Sequence, residues 1–515
     1  MSNKHNNKMN KQFMFGCMGI LMVAATFTAC SSDDDNNNPG TGTTTGYTWT
    51  KDGGLNASSG ILFTGGKDDA AGTEIGNGDQ EFVFTGKQTL KKGTYTLKGW
   101  VYVAKGAELT IEPGTIIKGE KESQASLIVE PGGKLFAKGT ASAPIVFTSA
   151  QPKGSRRPGD WGGLIICGNA VNNQDLMQIE GGPRTKHGGN DNTDNSGILS
   201  YVRIEFAGYP FQTDKEINGL TLGSVGSGTQ IDHIQVSYSN DDSFEWFGGS
   251  VNAKYLVAYK GWDDDFDTDN GYSGKVQYGL VVRDPRIADI SMSNGFESDN
   301  KADGGAVAPY TTATFSNITF VGPKFDGSFQ NTTSYINAGN MKPQNSASLG
   351  LFQSAMQIRR SSRLNCFNSV ALGYPVGLIL DGEKGSTVTA AKDGLLKVNN
   401  VWFAGMDAVG VDANKETADV LITYVDGKPV KDATQKSFSS TWFQAQSGNQ
   451  VKATIAELGL SVNGFIPSAN SPLLSAPTYT SLDSWFDKVS YIGAFGASND
   501  WTAGWANFDP QNTDY

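Results

Sequence analysis

Between residues 109 and 139, apolar positions come in short alternating runs broken by tight-turn residues. LTIEPGTIIKG (109–119) returns as LIVEPGGKLFAKG (127–139), and the EPG triplets begin 18 residues apart, at Glu112 and Glu130. Each copy predicts a strand, a Pro-Gly turn and another strand. A unit this short cannot bury its own apolar face and must stack on its neighbours. The period suits one coil of a parallel β-helix. Leucine-rich repeats share the period, but their Leu/Asn spacing is missing here, and propeller blades need a longer one.

The middle of the chain repeats more strictly. SYSNDDSFEWFGG (237–249) and YKGWDDDFDTDNG (259–271) align without gaps when Phe244 is set over Phe266, a step of 22 residues. SMSNGFESDN (291–300) joins with Phe296 in that column after 30 residues, the extra eight falling in an insertion around VVRDPRIAD (281–289). One coil earlier, NGLTLG (218–223) places Leu220 in the column and Thr221 after it. Ile234, Val236 and Tyr238 fall on Leu256, Ala258 and Lys260 with the same step.

Strand side chains change face at every residue. Phe244, Phe266 and Phe296 are therefore expected inside, with Trp246, Thr268 and Ser298. Glu245, Asp267 and Glu297 form an outward column of acids about 4.8 Å apart. Two unit charges at that spacing repel by about 1 kcal/mol in water and several times more at an effective dielectric near 20. Six carboxylates (Glu245, Asp265, Asp267, Asp269, Glu297 and Asp299) thus call for a cation or for raised pKa values. Oxygen ligands without histidine or thiolate favour Ca²⁺. Asp265, Asp267 and Asp269 have the alternate spacing of an EF-hand loop, but Asn270 stands where that loop needs glycine. Three readings stay open: a Ca²⁺ site built from these six, a solvated acidic face, or a catalytic carboxylate pair. Glu245, Asp267 and Glu297 are the catalytic candidates among them.

Trp262 and Tyr272 sit at turns beside the acids and are candidate platforms for sugar rings; Trp246 alternates with Phe244 into the core. His233 is expected to be packed or hydrogen-bonded in its strand, and Cys167 and Cys366 to pack as small hydrophobes. HGGNDNTDNSG (187–197) reads as a turn cluster with room for a second cation.

The ends read differently. Lys4, Lys8 and Lys11 precede the short apolar run FMFGCMGILMVAA (13–25), the pattern of a signal peptide over residues 1–29. Phe27-Thr28-Ala29-Cys30 resembles a bacterial lipobox, which makes Cys30 the lipidation site. SSDDDNNNPGTGTTTG (31–46) has no apolar residue and reads as a disordered tether over 30–46. Its acidic start resembles the export signal of surface-exposed Bacteroidota lipoproteins. Removing the leader takes three lysines and no acid, so the net charge goes from −11 to −14. That surface repels nucleic acid and bare anionic lipid. The cysteines left after cleavage form no disulfide framework. Glycine supplies 64 of 515 residues, or about 12% against a usual ~7%. Helical patterns are confined to 451–460 and 481–489. The domain plan is a β cap over 47–98, a parallel β-helix over 99–412 and an irregular, partly helical C-terminal cap over 413–515, where YIGAFG with Trp501, Trp505 and Phe508 forms a closing cap or a docking face for another surface protein. The fold class is all-β, a right-handed parallel β-helix.

GDWGGLIICGN (159–169), the DDSFEWFGG and DDDFDTDNG pair, and FDKVSYIGAFGASNDWTAGW (486–505) resemble a family of Bacteroidota surface lipoproteins. That resemblance implies a pectate-lyase-like solenoid, the outer membrane facing the cell exterior, and a TonB-dependent transporter as partner; it brings no established activity. Ile231-Asp232-His233 with Asp241 and Asp242 is similar to the calcium-binding arrangement of β-helix pectate lyases. Arg283-Asp284-Pro285-Arg286 resembles their Arg/Pro segment, which implies Arg283 as a candidate base, but it is one residue shorter. The function expected first is glycan binding at the cell surface for a transporter. The alternatives are a Ca²⁺-dependent polysaccharide lyase or glycoside hydrolase, and a structural transporter subunit.

Overall fold

In the computed structural model, the described residues are 73–515, apart from 213–214, 340, 342–349, 413–419, 426–427, 462–464 and 476. The short strands Tyr47–Trp49, Leu55–Ala57 and Phe63–Thr64 are described as well. The leader, Cys30 and the tether lie outside the described residues.

The Pro-Gly turns form as the repeat requires. Gly114 and Gly132 take positive φ (77° and 84°), a conformation that costs glycine little. Further along, one residue per coil bends a longer strand instead. Tyr201, His233, Tyr255, Tyr278 and Asn317 each have φ between 50° and 64° inside strands such as Gln230–Ser237 and Asn252–Tyr259. Stacking these coils gives a thirteen-stranded and an eighteen-stranded sheet, parallel through nearly all their pairings. The molecule is an all-β, right-handed parallel β-helix.

The aligned register holds. Leu220 lies beside Phe244, Phe244 beside Phe266, and Phe266 beside Phe296. Ile234 and Val236 lie beside Leu256 and Ala258. The inward rings stack along the axis, with centroids 5.6 Å apart for Phe244–Phe266 and 5.8 Å for Phe266–Phe296. All of them belong to one continuous core, and Trp246 is buried with them as expected.

Three expectations about the ends need correction. Parallel pairing starts before residue 99: Thr73–Ile75 pairs with Tyr95–Leu97, and Phe82–Phe84 with Val101–Val103. Lys91-Lys92-Gly93 occupies the turn that Glu112-Pro113-Gly114 fills one coil on, so the absence of proline hid this coil. Among the described residues, antiparallel pairing in the expected cap is that of Tyr47–Trp49 with Leu55–Ala57 and of Phe63–Thr64 with Thr73–Ile75. At the other end, the helix lies at Phe438–Ala445 rather than at 451–460 or 481–489. Ser437 caps its N-terminus, and Phe443 stacks on Phe403 at 4.1 Å, sealing the last coil. Residues 451–460 contain the end of the strand Gln450–Lys452 and only a 3₁₀ turn, Ile455–Leu458.

The last stretch, 478–515, is not an end cap. It is a strap that runs back along the eighteen-stranded sheet. Asn368 holds Thr478, Gln277 bonds both the N–H and the C=O of Asp487, Gln235 does the same to Asn507, and Arg156 donates to Pro510 O and Thr513 O. Trp501 and Trp505 pack edge-on against Tyr255, Tyr201 and His233. His233 is therefore a packed strand residue, sandwiched between Tyr201 and Tyr255. Cys167 and Cys366 are buried and free.

Candidate functional site: an acidic pocket

On the outward face of the thirteen-stranded sheet, one position per coil reads Ile128, Ile165, Thr221, Glu245, Asp267, Glu297, Gln357, Ile379. The acids occupy three consecutive rungs, flanked by Thr221 and Gln357, with apolar rungs beyond these on both sides. Ile128 and Ile165 are buried with Ile179 and Phe247, and Ile379 is buried with Val376 and Val411. Phe247 pairs in register with Asp269, which starts a second, shorter column. The acidic patch is thus a local interruption of an apolar face.

The preceding turns add more acid. Asp241-Asp242 and Asp263-Asp264 stand 22 residues apart, at the same place in successive coils. Asp242 Oδ1 accepts from the Asp264 N–H at 2.8 Å, Asp264 accepts from the Asn294 N–H, and Asn294 Oδ1 accepts from the Ser354 N–H at 3.1 Å. This chain of side chain-to-backbone bonds ties four coils together and aims the turn carboxylates at the strand column.

The expected six-carboxylate metal set divides. Asp265 is fully buried and forms an ion pair with Arg283 at 3.1 Å. Arg359 pairs with both Glu297 and Asp299, and Arg360 with Asp299 at 2.6 Å. Asp269 keeps its place beside these pairs, one oxygen accepting from the Asn270 N–H. Asp265, Glu297 and Asp299 are therefore neutralised by arginine rather than free to take a cation. Arg283 is no candidate base: besides Asp265, its guanidinium donates to Asp263 O at 2.7 Å and packs over Phe352. Trp262 and Tyr272 are not platforms either. They are 1% and 0% exposed; Trp262 packs with Leu280 and Ile287, and Tyr272 stacks on Trp246 while its hydroxyl donates to Val251 O. Their turns fold inward because each ring has an apolar neighbour to cover.

Asp242, Glu245 and Asp267 bring one oxygen each within 4.8 Å of one another, and so do Asp241, Asp242 and Asp263. Neither Asp242, Glu245 nor Asp267 has an arginine ion pair. Two buried neutral oxygens flank Glu245 without a hydrogen-bond donor: Asn218 Oδ1, whose amide nitrogen meets Glu245, and Thr221 Oγ1 on the adjacent rung. Orphaned buried oxygens are costly unless something electropositive meets them. Three carboxylates and two neutral oxygens suit the hard, flexible six-to-eight-oxygen shell of Ca²⁺.

The electrostatics agree. Burial first, then neighbouring carboxylates, push Asp241, Asp242, Glu245 and Asp267 well above the usual carboxylate range, and Asp264 likewise. Asp263 is pushed up to about 8, mainly by burial and by Asp289. Burial raises Asp265 to about 7 even against Arg283, and Asp269 to about 7 with Asp299 adding to it. Asp242, Glu245, Asp264, Asp265 and Asp299 are themselves buried, so the pocket is not a solvated acidic face. Asp242 was absent from the expected metal set; its signal was the aspartate doublet repeated at the coil period. In the loop 187–197, Asp191, Asn192 and Asp194 instead accept hydrogen bonds that shape turns, from Thr193, Val171 and Asn169.

No curated protein matches the chain. Among solved structures, the crystal structure of Dettilon tailspike protein (gp208) is similar at 9% identity and a TM-score of 0.23, covering 72% of this chain and 60% of the tailspike chain. Residues 83–506 match the family described as a pectate-lyase-like β-helix domain, and the chain belongs to that family.

Proposed function

We propose that this protein is a lipid-anchored, cell-surface β-helix that binds a glycan at the acidic pocket through Ca²⁺, as an accessory to a TonB-dependent outer-membrane transporter. The observation that carries the binding reading is the Asp242, Glu245 and Asp267 triad, which makes no arginine ion pair among the described residues and is flanked by the donor-less Asn218 and Thr221 oxygens. Calcium held there keeps coordination positions open to water or to sugar oxygens. The acidic net charge makes a nucleic-acid partner unfavourable. The anchor, the outer-membrane address and the transporter rest on the lipobox-like stretch ending at Cys30, the acidic tether and the family resemblance of the sequence.

The lyase alternative loses its base with Arg283 locked on Asp265. A hydrolase keeps one specific support: burial and the neighbouring Asp289 push Asp263 up to about 8, in the direction that favours the protonated form a general acid needs. The test is to pass a polysaccharide panel over the immobilised soluble form, with and without EDTA. Calcium-dependent retention without product supports binding. Unsaturated products or new reducing ends move the protein to the enzymes. No retention of any glycan leaves the structural-subunit reading.

A further inference from the structure

A cleft of about 460 Å³ opens where the strap crosses the first arms of the strands Gln230–Ser237 and Asn252–Tyr259. It is lined by Gln230, Asp232, His233, Lys254, Tyr255 and Trp485, among others, on the eighteen-stranded sheet rather than on the sheet that carries the acids. Its size falls within the ~300–1,000 Å³ of small-ligand sites, and it lies at a junction between two parts of the fold, where such sites concentrate.

Its walls are fixed in place. The His233 ring lies between Tyr201 at 4.1 Å and Tyr255 at 4.4 Å, and Tyr255 continues the stack onto Tyr278 at 4.8 Å. Asp232 accepts from Ser200 Oγ at 2.6 Å, Gln230 Nε2 at 2.8 Å and His233 Nδ1 at 2.8 Å. Trp485 comes from the strap, packed edge-on against Phe486, with Lys254 Nζ 4.8 Å from its ring centre. The lysines beside the cleft are already paired, Lys254 with Asp487 and Lys275 with Asp483, and Asp232 is held by its three hydrogen bonds. The cleft therefore offers an indole wall, fixed polar groups and little net charge. An ion would have to break a pair to enter.

We infer that this cleft is a metal-independent binding site for a neutral saccharide unit, separate from the acidic pocket. A pyranose has an apolar C–H face for the Trp485 indole and hydroxyls to donate to Asp232 and to exchange hydrogen bonds with the exposed Gln230 amide. This reading does not depend on the cation site: a glycan that fits both would bridge two faces of the solenoid, and either site can fail alone.

The test is calorimetric titration of the soluble protein with neutral gluco-, manno- and galacto-oligosaccharides in EDTA. At least one is expected to bind the wild type, and Glu245→Gln to bind equally. Trp485→Ala and Asp232→Asn are expected to lose tenfold or more, and Trp485→Phe less than threefold, at unchanged far-UV dichroism. Absence of binding by the wild type in EDTA overturns the inference, as does a Trp485→Ala protein that binds like the wild type. Loss of calcium-dependent retention in Glu245→Gln with EDTA-resistant binding intact would separate the acidic pocket from this one.

Discussion

One oxygen of Asp242 accepts the Asp264 N–H, and this fixes the carboxylate beside Glu245 and Asp267. Asp242→Asn preserves an acceptor for that bond while removing the charge, so it is expected to weaken calcium binding at least tenfold and to leave the fold intact. Calcium titration alongside circular dichroism checks both. Arg283→Met has the opposite profile. It strands Asp265 without its partner in a fully buried position, which costs about 3–5 kcal/mol, and urea unfolding reads that loss. Protons report on the same pocket. A carboxyl whose folded pKa exceeds its unfolded value binds more protons in the folded state, so stability falls as pH rises through the interval between the two. For Asp263 that interval runs from 3.8 to about 8. In EDTA the melting temperature is expected to fall from pH 5 to pH 8; saturating calcium, which takes the place of those protons, is expected to remove most of the fall. A flat EDTA profile would contradict the buried acids.

The phenylalanine ladder and the acid column alternate along the same strands, so the ladder's packing sets the spacing of the site. Phe266 touches Phe244, Phe296, Phe315 and Phe320, and Phe266→Ala is expected to cost about 3–5 kcal/mol. Denaturant unfolding measures it, and a calcium affinity reduced in parallel would show that the column depends on the ladder. This much was legible in the sequence, because a step of 22 residues repeated over whole strands fixes which residues face in and which face out. The arginine partners were not legible. Arg359 meets Glu297 and Asp299 across about 60 residues of chain, and no local pattern records such a meeting. The burial of Trp262 and Tyr272 was hidden for the same reason, since turn residues face outward only when nothing is packed over them. The strap shows the limit most clearly. Its sequence announced a packed aromatic cluster, but its docking uses Gln235, Gln277, Asn317 and Asn368, one polar residue on each of four coils. Gln235→Leu is expected to speed hydrogen exchange at the Asn507 amide, which donates to Gln235 Oε1, without changing exchange in the core strands.

At the scale of the molecule, a parallel solenoid turns residues far apart in the chain into neighbours at strand spacing. Thr221 and Gln357, with apolar rungs beyond them, confine the charge of Glu245, Asp267 and Glu297 to one place, and two arginines, Arg359 and Arg360, cover its far end. The near end, with Asp242, is left for a cation. The proposed glycan-binding role depends on that cation. Calorimetric titration of the EDTA-stripped protein with calcium at pH 7.5 addresses it most directly. Saturable binding is expected, and Glu245→Gln with Asp267→Asn is expected to abolish it. Absence of any calcium uptake by the folded wild type, or uptake unchanged in that double variant, would contradict it.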